Sequence, residues 1–139
     1  THIVVVGRSR FQMLQMHYDR AYLEATVRQW PWLAEPRPEW SVIEQVGDYL
    51  RRYVEALSDV LPPALLPEAL LPDTAALGVL GAALLQLSAE DKQNLLEVPA
   101  TCMLLKEVLR YMRAYVPMAE RLATMPPPMI APHEQISLN

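Results

Sequence analysis

Cysteine is nearly missing: Cys102 stands alone in 139 residues. A single cysteine excludes an internal disulfide and a thiolate-rich metal site, and it suits a reducing cytoplasm. Glycine is scarce too. The four present, Gly7, Gly47, Gly78 and Gly81, begin no phosphate-cradling loop and no dinucleotide fingerprint. His2, His17 and His133 are scattered, and no two stand at metal-ligand spacing. There is no excess of positive charge: 12 Lys and Arg face 16 Asp and Glu, for a net charge of −4. The basic stripe of a nucleic-acid binder is therefore missing. No apolar run approaches the roughly 20 residues that span a bilayer, and no signal peptide is recognisable. No serine sits in a nucleophile-elbow context. Ser88 and Lys92 are four apart, but a helix cap already explains Ser88. Glu90 and Asp91 are adjacent and diverge, unlike a general acid and its base. No catalytic residue, metal ligand or cofactor site is assigned.

What is present describes a folded domain. Apolar residues make up 52 % of the chain and charged residues 20 %, enough to bury a core in one domain of this length. Thirteen prolines fall mostly between periodic segments, so they punctuate the chain and do not mark disorder.

The periodicity begins in strands. Ile3 to Val6 is a β-branched run that favours extended backbone. It opens almost at Thr1, so partner strands are expected upstream. Residues 10–18 alternate, with Phe11, Met13 and Gln15 on one face and Gln12, Leu14 and Met16 on the other. A turn around Asp19 leads to a third strand, residues 22–30. There Leu23, Ala25, Val27 and Gln29 oppose Glu24, Thr26 and Arg28, as in a sheet with one wet face.

Helices follow. Residues 39–60 place Trp40, Ile43, Val46, Leu50, Tyr53, Val54, Leu57 and Val60 on one face. Asp48 with Arg51 or Arg52, and Arg51 with Glu55, have the spacing of weak surface pairs. Residues 61–72 carry four prolines and read as an apolar crossover. Asp73 caps a helix over 74–87 that is apolar almost all round, with Gly78 and Gly81 three apart and suited to close packing. Ser88 and Asp91 form a capping box for a short helix, and Pro99 stops that helix or opens the next. The longest helix follows, its stripe running through Leu105, Val108, Leu109, Met112, Val116, Ala119 and Leu122. Pro117 is expected to kink or break it. Cys102 lies beside that stripe as a buried thiol. The fold class is α+β: the remnant of a small β-sheet in residues 1–32, a set of helices in 33–123 with a long C-terminal helix, and a proline-rich tail in 124–139.

Two groups of residues could support binding. Trp30, Trp32 and Trp40 crowd the sheet-to-helix junction, and tryptophan concentrates at interfaces. The plainer reading is that they seal the join. The seven methionines read mainly as core filler, with Met125 and Met129 the more exposed pair.

Three stretches together resemble a known family. Gly7, Arg8, Arg10, Phe11 and Leu14 lead into a strand carrying Tyr22, Ala25 and Val27. Leu87, Ser88, Glu90, Lys92, Gln93, Leu95, Leu96 and Glu97 then open a helix. Their order and spacing, with the long closing helix, are similar to the N-terminal substrate-binding domain of Lon proteases. The resemblance implies a pseudo-barrel, PUA-like in kind, followed by a helical bundle. It also implies a non-catalytic role in recognising unfolded polypeptides, with homo-oligomer contacts. The ATPase and peptidase of a full protease are not in these residues, and a stand-alone bacterial, cytoplasmic member is expected. On this reading a cleft between sheet and helices takes exposed hydrophobic segments, with Phe11, Trp30, Trp32 and Trp40 as candidate contacts. A small-molecule enzyme using the same cleft, and a homo-oligomerising structural module, are the alternatives.

Overall fold

The computed structural model describes residues 9–57 and 73–125. The expected strand at 3–6, the crossover at 61–72 and the tail from 126 onward lie outside the described residues. So do Val60, Met129, His2 and His133.

Two strands form an antiparallel hairpin, β1 (Phe11–His17) and β2 (Glu24–Gln29). Pairing runs from Phe11 opposite Gln29 to His17 opposite Glu24, with an irregularity between Met13 and Gln15. Leu14 is the surplus residue of a β-bulge there, and it corrects the expected facing of β1. Beyond the bulge the alternation changes phase, so Met16, not Gln15, joins Phe11 and Met13. Their cross-strand partners are Ala25, Val27 and Gln29. Gln12, Gln15 and His17 then oppose Arg28, Thr26 and Glu24 on the polar face, and the expectation of a single wet face is corrected, since Phe11, Met13 and Val27 on the other face are exposed too. Arg28 donates to Gln12 at 2.6 Å, and His17 Nε2 lies 2.7 Å from the Thr26 hydroxyl. The bulge thus sorts a mixed strand into one apolar and one polar face.

Four helices follow: α1 (Trp40–Ala56), α2 (Thr74–Leu84), α3 (Ala89–Glu97) and α4 (Thr101–Thr124). The α+β class, a small sheet followed by a bundle with a long last helix, is as the sequence indicates. In α1, Ile43, Val46, Leu50, Tyr53 and Val54 are buried. Trp40, expected on that face, is 66 % exposed at the first turn. In α4, Leu104, Leu105, Val108, Leu109, Met112 and Val116 are buried. The buried stripe ends near Val116: Leu122 is exposed, contrary to its assignment to the core. Pro117 sits inside α4 without ending it. Of the methionines, Met112 is fully buried, whereas Met13, Met103, Met118 and Met125 are exposed, so core filling accounts for few of them. Cys102 is a buried free thiol.

α1 and α4 lie side by side and run parallel. Lys106 reaches Glu39, Arg113 donates to Gln45, and Arg52 grips Glu120 with two bonds of 2.7 and 2.8 Å. Those pairs are 67 or 68 residues apart throughout, which only parallel helices in fixed register produce. Of the surface pairs expected within α1, Asp48–Arg51 forms at 2.9 Å. Against α4 lies α2, whose buried Gly78 and Gly81 bring its backbone onto Leu104, Leu105, Val108 and Met112.

The caps match their sequence signals. Asp73 accepts the amides of Ala75 and Ala76. Ser88 Oγ accepts the Asp91 amide at 3.0 Å and donates to the Asp91 carboxylate at 2.7 Å. Tyr111 of α4 donates to the same carboxylate at 2.8 Å, fastening α3 to α4. The Ser88 and Tyr111 hydroxyls hold the Asp91 carboxyl below its ordinary range, and Arg52 does the same to Glu120. A carboxyl favoured as the anion in the folded chain stabilises the fold above the unfolded value. That contribution fades as pH falls through the lowered folded value. The thermal midpoint is therefore expected to drop as pH falls below about 4. Melting curves of wild type and Asp91→Asn across that range should show a shallower drop in the variant.

Candidate functional site

The site grows from the residue before β1. Arg10 is only 8 % exposed. Its main chain continues the hairpin, its carbonyl accepting the Trp30 amide at 3.0 Å. Its side chain does the rest. Nε donates to the Trp30 carbonyl, while Nη1 donates to the carbonyls of Leu96 and Val98 at 2.6 and 2.7 Å. Leu96 and Val98 lie at the C-terminal end of α3, where carbonyls lack partners within the helix. The guanidinium answers two of them and faces the negative end of the helix dipole. The Trp30 and Trp32 rings flank the cation, with centroids 4.4 and 4.2 Å from Cζ, within cation–π range. Burial pushes the Arg10 pKa down, yet an arginine remains charged at neutral pH.

The connector after Trp30 is tied down separately. Leu33 donates its amide to the Pro99 carbonyl at 2.9 Å, and its own carbonyl accepts from Thr101 at 3.1 Å. A bridge between Leu33 and Ala100 thus pins the connector to the joint of α3 and α4. Pro99 is in that joint and opens neither helix.

Between hairpin, connector, α2 and the α3–α4 joint lies a cleft of about 750 Å³. Pro31, Trp32, Val79, Leu80, Ala83 and Leu96 supply most of its apolar wall, with Arg10 and Asp73 as its charged residues. A shallower groove of about 590 Å³ runs between α1 and α4 over Val42, Leu109 and Ala114. Its cations already have partners: Lys106 has Glu39, Arg110 has Glu107 and Arg113 has Gln45. That groove is solvated surface, and the cleft beside Arg10 is the candidate site.

Of the four aromatic residues singled out from sequence, Trp32 is in the cleft wall. Trp30 stacks on the same cation. Phe11, 56 % exposed, starts the apolar sheet face, and Trp40 stands at the head of α1; neither is in the described lining of the cleft. Arg10 is the residue that sequence reasoning missed. The sequence marks it only as part of the stretch that resembles the family, one residue before an apolar strand and 20 to 22 before two tryptophans, and gives it no role in a site.

A model of the substrate-binding domain of the ATP-dependent protease La (Lon) matches residues 1–114. The chain belongs to that family. No curated protein and no solved structure matches it significantly. The matched Lon module is the non-catalytic, substrate-binding one. Among the described residues, no three metal-ligating side chains cluster, and no helix is long and apolar enough to cross a membrane.

Proposed function

We propose that this Lon-family domain receives exposed apolar segments of other polypeptides in the cleft between hairpin and bundle. The observation that carries the reading is the cleft itself: about 750 Å³, walled mainly by apolar side chains and sited where sheet, connector and helices meet. Clefts of that size and lining are the usual form of a binding site. Trp32 is the anchor residue. Trp30 acts from behind by holding Arg10, while Phe11 and Trp40 extend contact outside the cleft along a longer segment. An enzyme acting on a small molecule would call for convergent acid–base groups. The described lining holds one carboxylate, Asp73, and two helix amides already occupy it.

A partly unfolded protein should bind wild type and bind Trp32→Ala about tenfold more weakly, the loss expected of an interface anchor. Titration calorimetry on both chains measures this. Equal and negligible binding would sink the proposal. Sizing across a range of concentrations separates a monomeric receptor from a module that only assembles with itself.

A further inference from the structure

The cleft carries a chemical preference beyond apolar character. Among the described residues, Arg10 Nη2 and Trp32 Nε1 are both buried and without a hydrogen-bond partner. Both residues line the cleft. The other guanidinium donors meet main-chain carbonyls, and no described carboxylate bonds to this cation. A buried donor without an acceptor is costly, and a buried cation without a counter-ion more so. We infer that the cleft binds a carboxylate borne by an apolar peptide, seated against Arg10 Nη2 and the Trp32 indole N–H. The inference rests on reading the cleft as a polypeptide receptor and names what that polypeptide presents.

Carboxylate is the acceptor that answers both features, since it matches the flat guanidinium edge and cancels its charge. Asp73 is the one described acid in the lining, and it is committed to the first amides of α2. The positive end of that helix offsets its charge. Trp32 is partly exposed. Because it both covers the cation and walls the cleft, a turn of its indole opens Nη2 to an incoming oxygen.

Three ten-residue peptides of leucine, valine and alanine test this on the full chain. One ends in a free carboxylate, one in an amide, and one in an amide with a single internal glutamate. Calorimetry gives affinities, and tryptophan emission reports on Trp30 and Trp32. At least one acidic peptide is expected to bind about tenfold or more tighter than the neutral amide. The two acidic arms distinguish a chain terminus from a side chain. The preference should vanish in Arg10→Gln, which removes the cation. Should that variant fail to fold, Trp32→Phe keeps a ring over the cation, removes one donor, and should narrow the preference about threefold. Equal binding of all three peptides overturns the carboxylate and leaves the polypeptide receptor standing. A preference undiminished in the folded variants overturns it as well. Binding of none removes both.

Discussion

Arg10→Ala is expected to lower the free energy of unfolding by about 3 kcal/mol. Three hydrogen bonds from a charged donor disappear, and the Leu96, Val98 and Trp30 carbonyls lose an acceptor role they fill in the fold. Each such bond is worth about 1.5–3 kcal/mol before other terms. Against them stands the desolvation of a cation with no bonded carboxylate, which truncation relieves. The net is large because the contacts join the hairpin to residues 86 and 88 positions away. Urea denaturation at neutral pH measures it. Arg10→Lys keeps the charge but not the planar fork and should recover less than half the loss. A cost below about 1 kcal/mol for alanine would show that the hairpin docks by other means.

The second large effect is expected at Gly81. A Cβ there would lie 2.7 Å from Val108 Cγ1 and 2.8 Å from Met112 Cε. The Met112 methyl ends a flexible chain and can move aside. Val108 cannot do so easily: it is fully buried, and a β-branched side chain in a helix has one strongly preferred rotamer. Alanine at 81 gains about 1 kcal/mol in helix propensity and loses about 1–3 kcal/mol to overpacking. Gly81→Ala should therefore be destabilising by about 1 kcal/mol, and Gly81→Leu by about 3 kcal/mol or more. Gly78→Ala should cost less, because its closest neighbour is the Leu104 Cδ2 tip at 2.8 Å. Thermal melts of the three variants rank them. Gly81→Leu melting like wild type would mean that α2 does not need this approach to α4.

Which parts of this architecture could be read in advance follows from the range of the forces behind them. The hairpin, the Asp73 and Ser88 caps and the α4 stripe through Val116 rest on neighbours within a few residues, and they were legible. Helix ends were less so: α1 stops at Ala56 and α2 at Leu84, short of the apolar pattern in each case. The pattern at Trp40 and Leu122 continues a helical face past the point where any described residue buries it. The bulge was hidden because β1 read as strict alternation gives two mixed faces, and only pairing with β2 reveals the surplus residue. Of the three tryptophans near one another in the sequence, Trp30 and Trp32 meet over Arg10, while Trp40 is not in the described lining of the cleft. The burial of Arg10 did not show, because its acceptors are carbonyls, which every residue carries and no sequence distinguishes.

The surplus residue also gives β1 slack. Losing Leu14 would bring Met13, Gln15 and Met16 into register with Val27, Thr26 and Ala25 with no interruption. Losing Gln12 is absorbed by closing the same bulge, which moves Met13 to the polar face opposite Arg28 and sets Leu14 opposite Val27. The hairpin can thus shorten by one position while Arg10 stays between its two rings, so the anchoring cation is insulated from length changes in the strand that carries it.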